Sequence, residues 1–348
     1  MHNHFFGNFR SLVAVDLGTA NTLIARPGQG LVLDEPSVVA VARDSGRILS
    51  GGCAVGHLAR QMLGRTPDST SVVRPLRDGV ITDFAQCEAM LRYFLRKVRP
   101  SGFHRKPRAL VTVPGCITPV ERRAVFNSVA RAGARSVLLI DESRAAAIGA
   151  GLPIAEPVAG MICDVGAGTT EVAVFSLGDM VAGRSIRTGG DRMDQAIVDY
   201  LRRRHGLRVG PAAAEQLRID IGSAVPLPRE TSQEIRGIDI AGSLPRGANV
   251  TSEEVRHALA DPLEEILMAV KAVLDECSPE LAADLVDRGI VLCGGGALLT
   301  GFDQYLAEQT GLPTRVTGDP QTTVLTGALA CLENLARWKT SLQSSDNA

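Results

Sequence analysis

Two stretches of this chain follow one plan. "VAVDLGTANTLIA", from Val13, and "MICDVGAGTTEVAVFS", from Met161, each run through apolar residues into an aspartate, then a glycine turn with small polar residues, then alternating apolar residues. Apolar alternation on both sides of a glycine turn is the pattern of a β-hairpin. A pattern that returns half a chain later constrains the fold: the chain reads as two related halves, with Asp16 and Asp164 on facing hairpins. Each aspartate sits at a strand end, before a turn whose backbone N–H groups are free. That arrangement suits a metal-bound phosphate, and it also suits a capped turn, where aspartate is common.

A third glycine turn bears on the choice. "IVLCGGGALLTGFDQYLAEQ" runs from a strand through Gly294–Gly296 towards a helix. Its N–H groups and helix N-terminus can receive an anionic or polar ligand. Two Asp-Gly hairpins and a later strand–GGG–helix imply a cleft that binds a magnesium nucleotide. The carboxylates would hold Mg2+ through water, as this ion prefers. The hairpin N–H groups would wrap the β- and γ-phosphates. GxxxxGK[ST] does not occur, which excludes the P-loop class.

At 348 residues the chain is long enough for two domains or one two-lobed unit. A net charge of −1 and only 4% aromatic residues argue against nucleic acid as a partner. The seven cysteines are scattered without CxxC pairs, so neither a zinc site nor a disulfide framework is expected. Cys163 and Cys293 lie in apolar runs and read as core residues. No run is long and apolar enough to span a bilayer, and no signal-peptide pattern opens the chain. A reducing, cytoplasmic setting is the expectation. The six histidines lack paired spacing and suggest no metal or catalytic role.

Apolar alternation predicts strands at Val13–Val15, Leu23–Ala25, Ser37–Ala42, Ala109–Val113, Ser136–Ile140, Met161–Cys163, Glu171–Ser176 and Gly289–Cys293. Helical periodicity predicts helices at Ala85–Lys97, Pro119–Ala132, Arg144–Gly149, Gly190–Arg204, Pro211–Ala224, Thr251–Glu276, Gly301–Gln309 and Leu325–Leu335. Such alternation indicates an α/β fold. Asp83 is expected to cap the helix that follows it.

The residues that carry these signals resemble the actin, sugar-kinase and heat-shock-chaperone ATPase superfamily. Within it the chain resembles the bacterial actin-like, rod-shape-determining MreB family. The likeness runs from Leu12 to Leu335 through "DLGTANTLI", "GQGLVLDEPSVVAV", "VGHLARQMLGRTP", "RPLRDGVITDF", "VTVPGCITPVERRAV", "AAAIGAGLPI", "GTTEVAVFSLG", "GGDRMDQAIVDYLRRRHG", "IGSA" and "GGGALL". It implies an actin-like ATPase fold of two duplicated α/β lobes and four subdomains around a cleft for ATP and Mg2+. It also implies filaments of the protein with itself beneath the cytoplasmic membrane. Those filaments would meet membrane lipids and the membrane proteins of cell-wall morphogenesis, and would help guide cell-wall synthesis. The expected division is 1–10 as a membrane-contact segment, 11–142 with 326–338 as lobe I, 143–325 as lobe II and 339–348 as a disordered tail.

By position, the resemblance assigns Asp16, Gly18, Thr19, Ala20 and Asn21 to the first phosphate hairpin. Gly166, Ala167, Gly168, Thr169 and Thr170 form the second. Asp16 and Asp164 hold Mg2+ through water. Glu142 matches the glutamate that orients the attacking water, with Thr169 beside it. Gly190 and Asp191 match the loop beneath the phosphates. Glu215 and Arg218 match the helix that meets the adenosine, where lysine usually takes the second place. Gly294, Gly295 and Gly296 flank the nucleoside. The chain departs from the family where E-E-P-M becomes Asp141-Glu142-Ser143-Arg144. Ala167 replaces the middle of three glycines, and "VLTGALA" replaces a glycine-rich final turn. Alanine costs about 1 kcal/mol or more if that position needs positive φ. The expectation is slow hydrolysis with binding and polymerisation preserved. The alternatives are a filament protein that binds ATP with little or no hydrolysis and a small-molecule kinase of the same superfamily, for which no motif supplies a catalytic base.

"MHNHFFGNFR" places Phe5, Phe6 and Phe9 on one helical face. It reads as a weak membrane anchor strengthened by polymerisation, or as a tail packing on the body. "RYFLRKVRPSGFHRKPR", Arg92 to Arg108, joins clustered cations to Phe103. It suits anionic lipid, or is a solvated turn.

Overall fold

The computed structural model describes residues 12–49, 54–99, 106–115, 117–338 and 342–344. Phe5, Phe6, Phe9 and Phe103 lie outside the described residues. The chain divides into two units, residues 1–152 with 322–348, and residues 153–321. In this division residues 143–152 and 322–325 fall with unit one.

Unit one holds β1 (Leu12–Leu17), β2 (Asn21–Arg26), β3 (Gly30–Pro36), β4 (Val39–Ala42), α1 (His57–Gln61), β5 (Thr70–Val73), β6 (Leu76–Arg77), β7 (Val80–Ile81), α2 (Phe84–Lys97), β8 (Arg108–Val113), α3 (Pro119–Ala132), β9 (Ser136–Asp141) and α4 (Glu142–Gly149). Unit two holds β10 (Gly160–Val165), β11 (Thr170–Ser176), β12 (Asp179–Ile186), α5 (Gly190–His205), β13 (Leu207–Arg208), α6 (Pro211–Ile221), β14 (Ser232–Asp239), β15 (Pro245–Thr251), α7 (Ser252–Asp275), α8 (Pro279–Arg288), β16 (Ile290–Cys293), α9 (Phe302–Thr310) and β17 (Thr314–Val316). The chain then returns to unit one with α10 (Thr323–Glu333), α11 (Leu335–Trp338) and β18 (Gln343–Ser344).

The two main sheets repeat one topology. In unit one the order is β18-β9-β8-β1-β2-β3, with β1, β2 and β3 an antiparallel meander and β8 and β9 parallel to β1. In unit two the order is β12-β11-β10-β16-β17, again a meander on one side and parallel strands on the other. β1 and β10 occupy equivalent central places, and each carries its aspartate near its C-terminal end. Apolar residues such as Val15, Val111 and Leu139 pack with Met90, Phe94 and Val129 in unit one. In unit two Met161, Val174 and Leu292 pack with Met193, Ile266 and Phe302. Each such side chain contributes roughly 1.5–3 kcal/mol by leaving water.

Local chemistry sets the helix ends. Asp83 Oδ1 accepts from Gln86 N at 2.9 Å and starts α2, as its sequence position predicts. Thr118 and Glu121 form a reciprocal capping box on α3, and Thr251 and Glu254 do the same on α7. Helices α4 and α10 pack face to face at small residues. A methyl added at Gly149 would fall on the carbonyl oxygen of Thr323, and one at Gly327 on that of Ala145. This close crossing keeps α4 and the segment from Thr322 within unit one. It also makes "VLTGALA" the interior of a helix rather than a turn. At the C-terminus, where a disordered tail was expected, Gln343 and Ser344 pair with Leu139 and Leu138 of β9.

Candidate functional site

The first hairpin is fixed by its carbonyls and side chains. Asp16 is paired in register with Leu23, and the turn that follows is Gly18-Thr19-Ala20. Ser37 anchors it: its N–H donates to Ala20 O at 2.8 Å and its Oγ to Gly18 O at 2.7 Å. Thr22 Oγ1 lies 2.9 Å from the same Ser37 Oγ. Gly79 N donates to Thr19 Oγ1 at 3.1 Å, so the Asp78-Gly79 turn between β6 and β7 braces the hairpin. Both turn residues have positive φ, which the Asp-Gly pair accommodates. Asn21 Nδ2 donates to Asp34 Oδ1 at 2.8 Å. Gly18 N faces Asn21 O and closes the ladder after the Leu17–Thr22 pair, while among the described residues no hydrogen bond uses the N–H groups of Thr19 or Ala20.

Protein packed around the half-buried Asp16 raises its carboxyl to about 6, and a 2.8 Å hydrogen bond from Thr112 Oγ1 opposes the rise. A carboxylate so desolvated, with one described donor, has capacity left for a cation or its water.

The second hairpin repeats the arrangement in unit two. Asp164 pairs in register with Glu171, and Val165 with Thr170. Gly166 N donates to Thr169 O at 2.9 Å and closes the turn. Gly190 N and Asp191 N donate to Gly166 O and Ala167 O at 3.0 and 2.8 Å, so the start of α5 holds the hairpin from below. A side chain at Gly189 would strike both of those carbonyls. Thr170 Oγ1 donates to Thr188 O at 2.6 Å. The N–H groups of Ala167, Gly168 and Thr169 again make no hydrogen bond among the described residues. Ala167 does not have positive φ, so the strain conditional on that geometry does not arise.

The third turn sits against this hairpin. Asp164 is in register with Cys293 of β16, and Gly294 follows with φ +81°. A side chain there would collide with Asp164 Oδ1 and Val165 O, and one at Gly296 with the Val165 side chain. Asp164 and Thr169 are both buried. Arg218 of α6 forms a forked ion pair with Asp194 of α5, Nε to Oδ1 at 2.6 Å and Nη2 to Oδ2 at 3.4 Å. Burial raises the Asp194 carboxyl, and the Arg218 guanidinium opposes it. Asp191 and Glu215 are close enough to act on the same carboxyl. Unit two thus gathers Gly190, Asp191, Glu215 and Arg218 beside the second hairpin, while the Arg218 head is engaged by Asp194.

Glu142 opens α4 and is buried. Several supporting residues were missed in the sequence: Ser37, Thr112, Gly79, Gly189, Asp194 and the buried Glu171, which accepts from Ser185 Oγ. Of these only Gly79 had a local signal, the Asp-Gly dipeptide. No group of three or more His, Cys, Asp or Glu among the described residues is arranged to hold a metal directly.

A family described as MreB/Mbl protein matches residues 10–340. The chain belongs to the MreB/Mbl family. Within and around the family, the chain is 49% identical over 334 residues to the cell shape-determining protein MreB of Escherichia coli (strain K12), covering 96% of both chains. A crystal structure of MreB5 of Spiroplasma citri bound to AMPPNP superposes with a TM-score of 0.88 at 34% identity, covering 94% of this chain and 98% of that one. The MamK double helical filament matches with a TM-score of 0.78 at 22% identity over 92% of this chain and 98% of that one, a likeness of fold. The MreB/Mbl chain therefore has an actin-like fold. No described helix is long and apolar enough to cross a membrane.

Proposed function

We propose that this protein is a cell shape-determining, actin-like filament protein that binds ATP with Mg2+ through its two hairpins. One observation carries the nucleotide: both turns are anchored through carbonyls and side chains, while consecutive N–H groups at each tip, Thr19 and Ala20 in the first and Ala167 to Thr169 in the second, have no hydrogen-bond partner among the described residues. Oriented backbone N–H groups of this kind bind phosphate oxygens. One carboxylate behind each hairpin, Asp16 and Asp164, fits a cation held through water. The donor set therefore fits Mg-ATP. Bound Mg2+ would offset phosphate charge. Glu142 would accept a hydrogen bond from the attacking water, and Thr169 would assist. Such a transfer needs mainly positioning and electrostatic stabilisation.

Filament assembly and lipid contact at the inner face of the cytoplasmic membrane complete the reading. Family membership and the MamK likeness support assembly, and the Phe5, Phe6 and Phe9 segment supports lipid contact. One experiment tests these parts together. The full chain is sedimented with anionic liposomes and ATP, with and without Mg2+, while phosphate release is followed in the same tubes. Mg-dependent sedimentation with slow release is expected. Asp164→Ala should remove the Mg2+ dependence, and a chain starting at Ser11 should assemble without carrying liposomes down. If neither ATP nor ADP binds in a parallel titration, the nucleotide reading fails. If the shortened chain still carries liposomes, the lipid reading fails.

A further inference from the structure

The first turn of α4 contains a polar gap. Ser143 is 1% exposed, yet its Oγ has no hydrogen-bond partner. The buried Oδ1 of Asp141, two residues earlier, has none either. Asp141 is the N-cap of α4, but its side chain makes no cap hydrogen bond. Its Oδ1 lies 3.6 Å from Arg122 Nη1 instead, and Arg122 also donates to Gln343 Oε1. The oxygen that a helix normally draws from its N-cap side chain is thus turned away.

Buried hydroxyl and carboxylate oxygens are almost always met by a partner, from protein or from ordered water. Two unmet oxygens flanking one residue define a place for something to sit. The hydroxyl offers both a donor and an acceptor, and the carboxylate offers acceptors only. An anion is disfavoured beside Asp141, and an apolar group would leave both oxygens unmet. A single water within reach of both oxygens would satisfy them together and have capacity left for a third bond. The residue between Asp141 and Ser143 is Glu142.

We propose that Ser143 and Asp141 hold a fixed water at the start of α4, and that this water sets the position of the Glu142 carboxylate. Ser143 is then a positioning residue for hydrolysis, and the inference rests on the role given to Glu142 above. It reverses the expectation that serine in place of proline weakens this site, because proline supplies no hydroxyl to hold the water.

The test uses the full chain and the variants Ser143→Ala, Ser143→Thr, Glu142→Ala and the Glu142→Ala, Ser143→Ala double variant. Phosphate release and Mg-ATP affinity are measured for each. Ser143→Ala should slow release by about five-fold or more at nearly unchanged affinity. Ser143→Thr, which keeps the hydroxyl, should recover most of the rate. Ser143→Ala should add nothing on the Glu142→Ala background, because residues that act through one another are not additive. A water with no part in positioning predicts unchanged release in Ser143→Ala, or a loss that adds in full to that of Glu142→Ala. Either result overturns the proposal while Glu142 keeps its role. If Glu142→Ala leaves release unchanged, the role of Glu142 falls first and the proposal with it. A crystal structure of the full chain should show water within hydrogen-bond distance of Ser143 Oγ and Asp141 Oδ1, and an empty gap there also overturns it.

Discussion

At Ala167 the backbone stays out of the left-handed region, although the residue sits in the middle of a glycine turn. Glycine there would bring no relief of strain and would enlarge the freedom of the unfolded chain. Ala167→Gly should therefore lower stability by about 0.4–1 kcal/mol, read as an earlier urea midpoint with an unchanged slope. A later midpoint would mean that the turn is strained after all. Single residues were legible where their chemistry is local. Asp16, Asp164 and the glycine turns stand out because the same pattern, an aspartate at a strand end two residues before a glycine, recurs in each half of the chain. Asp83 was legible because a cap needs only the next few residues. Thr112 and Asp194 were not. Thr112 meets Asp16 only because β8 lies parallel to β1, and Asp194 meets Arg218 only because α5 packs on α6. No spacing in the sequence encodes those meetings.

Elements with a strongly apolar face were equally plain in the sequence, and polar ones were not. β14 and β15 form a ladder from Ser232–Thr251 to Ile238–Pro245, but their residues are mostly charged, small or exposed and show no alternation. The short α8 was missed because only Leu285 within it is buried. The loop between β14 and α6 shows how such polar parts are tied down. Glu230 accepts from Arg256 Nη2 of α7 at 2.7 Å and from Ser252 Oγ. Those hydrogen bonds, from Arg256 first and then Ser252, hold its carboxyl down from 4.5 to about 2. A carboxyl depressed on folding stabilises the native state above its unfolded value, and that stability disappears as pH falls through the folded value. Glu230→Gln should thus be less stable than the parent at neutral pH. The difference should shrink between pH 4.5 and about 2. Solvent around the pair keeps the effect small. Thermal midpoints of the two proteins across that range provide the check, and a gap that widens in acid would contradict the assignment.

On the scale of the molecule, unit one is discontinuous and depends on the crossing of α4 and α10. Gly327 lies against Ala145, and Gly149 against Thr323, with no room for a methyl on either side. Gly327→Ala should force the helices apart. Overpacking of this kind costs typically about 1–3 kcal/mol, despite the gain in helix propensity from alanine. Hydrogen exchange should locate the loss in α4 and α10 and leave β10 and β16 protected. Equal loss in both units would mean that they unfold as one. The duplicated sheets were visible in the repeated Asp-Gly pattern, whereas the return of the chain was harder to read. Its decisive contacts are bare backbone at glycines, which carry no hydrophobic signal. The same crossing gives synthesis on the ribosome an unusual order. Unit two is continuous from Pro153 to Gln321, and all of it is made before Gly327. Domains that are continuous in sequence can fold as they emerge. Unit one cannot, because the helix that closes it is translated after unit two. The half of the protein that leaves the ribosome first is the half that must wait, its α4 face uncovered, until almost the whole message has been read.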